Sequence, residues 1–153
     1  MVHSCGGVLY TIKDGFVYIV LGKEGSEYFH FKGRVQDTES FEDAAVREIR
    51  EETMGLVNLD TIYLDCHNVS SKNKKYHYGL VKVDNDIDVI FNAKRNNSNV
   101  VEKLMPDYKE KQDIKLFKLN DIKSHNLHVL TIKPIMYYYD FLVSVQDDLG
   151  LCQ

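Results

Sequence analysis

Cysteine is scarce and unpatterned: Cys5, Cys66 and Cys152 are odd in number and far apart. With no Cys-x-x-Cys and no zinc-finger spacing to the six histidines, the chain offers neither a disulfide framework nor a structural zinc site. A reducing compartment follows. Proline and glycine are also few, two and nine in 153 residues, which excludes a fibrous chain and argues against disorder. No apolar run approaches the roughly eighteen residues of a membrane span, and MVHSCGGVLY lacks the basic and apolar regions of a secretion signal, so a cytoplasmic protein is expected. A net charge of −4 gives no basic field to hold duplex DNA by its phosphates.

What is present is an apolar share of 44%, enough for one globular core, so residues 1–153 are expected to form a single domain. Gly6 to Ile12 and Phe16 to Gly22 read as strands around an Asp14-Gly15 hairpin turn. Tyr28 to Phe31 adds a short strand before Gly33. Ser40 and Asp43 have capping-box spacing, which predicts a helix from Ser40 to about Met54. On its wheel Ala45, Val46, Ile49 and Thr53 share one side, while Glu48, Glu51 and Glu52 form a second arc. Leu59 to Cys66, Tyr76 to Val83 and Ile114 to Leu119 read as further strands. Residues 84–112 read as a long loop or a short irregular helix. Lys133 to Val145 reads as a closing helix with Pro134 in its first turn.

The chemistry is concentrated in GRVQDTESFEDAAVREIREETMGL, Gly33 to Leu56. Positions i, i+3 and i+4 of a helix face one way, so Glu48, Glu51 and Glu52 are expected to converge on one small volume. Adjacent anions repel one another. A divalent cation would relieve that repulsion, and Mg2+, with Mn2+ as a substitute, prefers hard oxygen ligands and keeps waters that a site of this kind can activate.

In order and spacing, Gly33, Glu39, Arg47, Glu48, Ile49, Glu51 and Glu52 resemble the Nudix box, G-x5-E-x7-R-E-U-x-E-E-x-G-U with U aliphatic. One residue is extra. Thr53 and Met54 stand where the family has a single position before the glycine, here Gly55, so a changed helix exit is expected with the metal face still in register. The resemblance implies an α/β/α sandwich around a mixed β-sheet and a Nudix pyrophosphohydrolase. It also implies metal ligation by Gly33, Glu48, Glu51 and Glu52, catalysis by Glu51 and Glu52, and structural support from Glu39 and Arg47. A carboxylate from outside the box is expected to join them, with Glu110 the candidate and Glu102 the alternative.

The Phe31-Lys32-Gly33 form is similar to the branch that takes dinucleoside polyphosphates, diphosphoinositol phosphates or the RNA 5′ cap, although Phe31 replaces that branch's proline. The implied partner is a nucleotide or another small diphosphate, or a capped RNA. Lys32 and Arg34 are candidate phosphate contacts, or simply solvated cations. The lysines of SSKNKK (residues 70–75) carry the same ambiguity. Tyr28, Phe29, Tyr76 and Tyr78 read more readily as strand packing than as base-stacking surfaces, and His125, His128 and Tyr137 to Tyr139 as packing or surface residues. Against hydrolysis stand two alternatives: a Nudix-fold module that binds a nucleotide or RNA without cutting it, favoured only by the delayed Gly55, and an unrelated globular domain with an acidic helix.

Overall fold

The computed structural model describes residues 1–71, 73–97 and 111–151. In the described residues the strands are β1 (Val2–Lys13), β2 (Phe16–Glu24), β3 (Glu27–Phe29), β4 (Phe31–Arg34), β5 (Cys66–Ser71), β6 (Lys74–Lys82) and β7 (Ile114–Lys118). The helices are α1 (Phe41–Glu52), α2 (Ile87–Arg95) and α3 (Val129–Leu151), with a 3-10 turn at Leu119–Ser124.

Asp14 and Gly15 both take positive φ, 53° and 81°, which brings Lys13 opposite Phe16 in the expected two-residue hairpin. The sheet runs β3-β2-β1-β6-β5, with β4 also paired to β1 and β7 to β2. β1 and β6 are parallel while the remaining pairs are antiparallel, so the sheet is mixed, as expected. Alternation along the strands then builds two cores. Cys5, Leu9, Val20 and Phe31 pack with Ala44, Ala45 and Ile49 of α1, whereas Val8, Ile19, Leu21, Tyr76 and Tyr78 pack with Ile135, Tyr138 and Leu142 of α3. The result is an α/β/α sandwich.

Several boundaries differ from the sequence expectation, each for a packing reason. Gly33 lies inside β4, not after the strand, because β4 pairs with β1 through Arg34. Of the strand expected at Leu59 to Cys66 only Cys66 belongs to one, β5. The apolar residues Leu59, Ile62 and Leu64 cover the α1-side core instead, and Gly79 admits this segment: a methyl group there would lie 2.5 Å from the Tyr63 carbonyl oxygen. Of the SSKNKK stretch, Ser70 and Ser71 belong to β5 and Lys74 and Lys75 to β6, while Lys72 lies outside the described residues. Of the two readings of residues 84–112, the short helix is the one found: α2 stands there, held by two buried residues one turn apart, Ile87 and Phe91, too few to give a strong periodic signal.

α3 begins at Val129, a full turn before Lys133, so Pro134 lies inside the helix and not in its first turn. The start is set by His128, whose ring Nδ1 accepts from the Leu130 N–H at 3.1 Å. His128 also packs on Phe29, and His125 meets Phe117 edge-on, both from exposed positions, within the packing or surface roles expected of them.

One cluster on the α1 side was not foreseen. His77 Nε2 lies 3.0 Å from His3 Nδ1, and His77 Nδ1 lies 2.7 Å from His67 Nδ1. Phe41, the first residue of α1, stacks on His77 at 4.4 Å. Burial above all, then the neighbouring His67, His3 and Lys75, push the His77 pKa down from its usual value near 6.5 to about 4, with Glu42 opposing. A histidine with a depressed folded-state pKa binds its proton more readily in the unfolded chain. Its contribution to stability is therefore intact above about pH 6.5 and is lost as pH falls towards 4. Thermal melts across that window should show the wild type losing Tm on acidification more steeply than His77→Gln; equal slopes would refute this assignment.

Candidate active site

The site is assembled where β4 passes the middle of α1. Ser40 caps α1 by accepting from the Asp43 N–H at 3.1 Å, the first half of the expected box. The regular helix ends at Glu52 and not Met54. Thr53, buried despite its hydroxyl, donates that group to the Ile49 carbonyl at 2.7 Å. Met54 and Gly55 then take φ of 54° and 78°, and the Gly55 N–H reaches the Arg50 carbonyl at 2.8 Å. Two left-handed residues absorb the extra position in the exit turn. The residues from Phe41 to Glu52 are undisturbed.

Arg47 organises the acidic side chains. Its Nε and Nη2 grip Glu39 at 2.6 and 3.0 Å, its Nη1 donates to Glu48 at 2.8 Å and Glu51 at 3.1 Å, and Nη2 also donates to the Arg34 carbonyl at 2.9 Å. The planar fork of a guanidinium suits such a node, where an ammonium would not. These hydrogen bonds hold the Glu39 carboxyl below its usual pKa, with Arg47 the principal cause. Glu39 and Arg47 thus form one hydrogen-bonded node with Glu48 and Glu51.

Glu52 turns elsewhere. It is buried, accepts from the Lys32 backbone N–H at 2.7 Å through Oε1, and places Oε2 3.8 Å from the Lys111 ammonium. The expected convergence is thus divided: Glu48 and Glu51 meet at Arg47, and Glu52 lies towards Lys111. Among the described residues no three His, Cys, Asp or Glu side chains are grouped to hold a metal ion. The physical reason is the repulsion noted from sequence, relieved here by two protein cations.

The residues nevertheless fit a hard cation. All the side-chain donors are carboxylate oxygens, and Gly33 is a cradle for one of them: a methyl group at Gly33 would lie 2.1 Å from the Glu48 carboxyl carbon. Lys32 extends over the other face of the sheet, its ammonium 5.5 Å from the Tyr76 ring. A cavity of about 320 Å³ opens there, lined by Asn68, Lys74, Tyr76, Tyr78, His128 and Lys133 among others. Tyr78 brings to it a buried hydroxyl without a hydrogen-bond partner. Arg34 is exposed and borders a different hollow, with His3, Glu39 and Phe41. The two candidate phosphate contacts are therefore not brought together. Glu110 and Glu102 lie outside the described residues.

Sequence reasoning missed Lys111, Glu24 and His30. Lys111 sits at the end of the stretch that reads as a long loop or a short irregular helix, yet it is 1% exposed, paired with Glu24, and donates to the His30 carbonyl at 3.0 Å. Only a structure reveals a buried lysine of this kind.

The Gly33 cradle predicts its own test. Gly33→Ala should cost about 2 kcal/mol, lowering Tm by about 6 °C, because the methyl overlaps Glu48. In a Glu48→Ala background the same substitution should cost less than half as much. Equal losses in both backgrounds would show that Glu48 is not what fills the space.

A NUDIX domain model matches residues 6–138, most of the chain. No curated protein is significantly similar in sequence. Among solved structures, the Caenorhabditis elegans Ap4A hydrolase superposes with a TM-score of 0.57 at 21% identity, over 95% of this chain and 97% of that one. A MutT from a structural study of Aliivibrio salmonicida and Vibrio cholerae gives 0.59 at 18% identity, over 90% and 94%. The NUDIX domain of Shewanella oneidensis NrtR, crystallised with ADP ribose, gives 0.62 at 17% identity, over 92% and 87%. These identities establish a shared fold, and the domain match over most of the chain establishes the rest: the chain belongs to the NUDIX family and is a Nudix pyrophosphohydrolase.

Proposed function

We propose that the protein hydrolyses a phosphoanhydride bond in a nucleoside diphosphate linked to another group, with Mg2+ held at Gly33, Glu48, Glu51 and Glu52. The observation that carries this is the carboxylate row of α1 set against the glycine of β4. Bound there, the cation would neutralise phosphate charge and lower the pKa of an attacking water. Glu51 or Glu52 would take that water's proton. Arg47 would keep the row aligned through Glu39 and the Arg34 carbonyl. Glu110 remains the candidate for the carboxylate from outside the box.

The nucleoside side of the substrate is assigned to the cavity beyond Lys32. Tyr76 offers a ring face, Tyr78 an unpaired hydroxyl, and Lys32, Lys74 and Lys133 a positive rim for phosphates. Dinucleoside polyphosphate is the favoured substrate, in keeping with the Phe31-Lys32-Gly33 form and the likeness to an Ap4A hydrolase. The described residues contain no helix long and apolar enough to cross a membrane, and the free thiols of Cys5 and Cys66 agree with a reducing, cytoplasmic setting.

Purified protein should be incubated with Mg2+ or Mn2+ and dinucleoside polyphosphates, nucleoside triphosphates, diphosphoinositol phosphates and capped RNA. Hydrolysis of one class is expected, abolished by EDTA and lowered roughly 100-fold or more by Glu51→Gln or Glu52→Gln. Binding of a nucleotide without turnover, unaffected by those substitutions, would instead favour the non-catalytic module.

A further inference from the structure

Lys111 is the most deeply buried cation described in the chain, and everything around its ammonium is specific. The amine is paired with the Glu24 carboxylate, donates to the His30 carbonyl at 3.0 Å and lies 3.8 Å from Glu52 Oε2. The faces of Phe31 and Phe29 close over it at 5.2 and 5.8 Å from their ring centres. Its stem runs across Gly22 in β2, where a methyl group would lie 2.5 Å from Lys111 Cδ. The backbone is pinned as well: the Gln112 N–H donates to the Lys23 carbonyl at 2.8 Å, and Arg95 Nε to the Lys111 carbonyl at 3.2 Å.

A lysine loses much solvation on such burial, and a hydrophobic residue of similar length would fill the slot at lower cost. What an alkyl chain cannot supply is a positive charge directed at Glu52 from the side opposite the Lys32 N–H. With one oxygen on a backbone donor and the other facing a fixed ammonium, the Glu52 carboxylate has a defined rotation. Its charge is balanced without drawing on Arg47, which is already committed to Glu39, Glu48 and Glu51.

We propose that Lys111 is a positioning residue for the box: its buried ammonium orients Glu52 for its part in hydrolysis, and Gly22 exists as glycine to admit it. This rests on the hydrolase mechanism proposed above for Glu52. Lys111 touches neither the reacting bond nor the ion in this scheme and acts through the glutamate.

A double-mutant cycle of Lys111→Met and Glu52→Gln tests it, read in two ways. In turnover of the substrate found above, Lys111→Met should lower kcat by roughly 10- to 100-fold with KM within about threefold, yet by less than about threefold in the Glu52→Gln background. In melts of the metal-free protein, Lys111→Met should lower Tm by roughly 10 °C, and clearly less once Glu52 is neutral, since the charge that faced the ammonium is then gone. Equal effects in both backgrounds, or an unchanged kcat in Lys111→Met, would overturn the proposal. Should that variant not fold, Gly22→Ala displaces the same ammonium; its kcat should fall in the wild-type background and not in Glu52→Gln, and full activity would again overturn it. An inactive wild type would sink the hydrolase mechanism alone, because the metal-free melting cycle still decides whether Lys111 and Glu52 are coupled.

Discussion

Everything in the site depends on balancing a row of carboxylates on successive turns of one helix. Glu48, Glu51 and Glu52 repel one another whenever no dication is among them, and a helix carrying that repulsion would be strained or splayed. The fold answers with two cations of different character. Arg47, on the same helix, spreads its donors over a carbonyl and three glutamates whose side chains are largely shielded from solvent. Lys111, from the start of the segment leading into β7, stands under Glu52 in the interior. The row is thus held by separate partners, Glu48 and Glu51 by Arg47, and Glu52 by the Lys32 N–H and the Lys111 ammonium.

Strand β4 makes the second half of the arrangement. Because strand side chains alternate, Gly33 faces α1 while Lys32 faces the cavity under α3. The absent side chain lets Glu48 lie directly against the strand, and the backbone N–H of Lys32 holds Glu52. One residue pair therefore links the acidic row on one face of the sheet to the basic and aromatic hollow on the other. The substrate proposed above, with phosphates between a metal and a nucleoside, would need such a join, where opposite charges lie close but in separate compartments.

The helix, its cap, the hairpin and the identity of the acidic residues were legible in the sequence because each is a local signal of fixed spacing. Ser40 to Asp43, Asp14-Gly15 and Arg47 to Glu52 depend on neighbours within two turns. What was not legible depends on distant chain. Ile62, Leu64 and Cys66 alternate like a strand, yet the ladder position is taken by residues 66–71, and only the glycine at 79 tells that the preceding segment crosses β6 at close range. The division of the glutamates needed Lys111, some sixty residues away, whose burial no composition window predicts. His77 meets His3 and His67 only through the register of β1, β6 and β5.

The extra residue before Gly55 shows how sharply local such effects are. An insertion within α1 would rotate every later side chain by about 100° and part Glu48 from Glu51 and Glu52. Placed after Glu52, it is taken up by Met54 and Gly55 in left-handed conformation, with Lys94 of α2 donating to the Met54 carbonyl at 2.8 Å. A non-glycine residue with positive φ carries strain of order 1 kcal/mol, tolerated here because Met54 is itself buried in the α1-side core. The departure from the family pattern therefore changes how the chain leaves the helix and leaves the spacing of the acidic row intact. It gives no support to loss of catalysis.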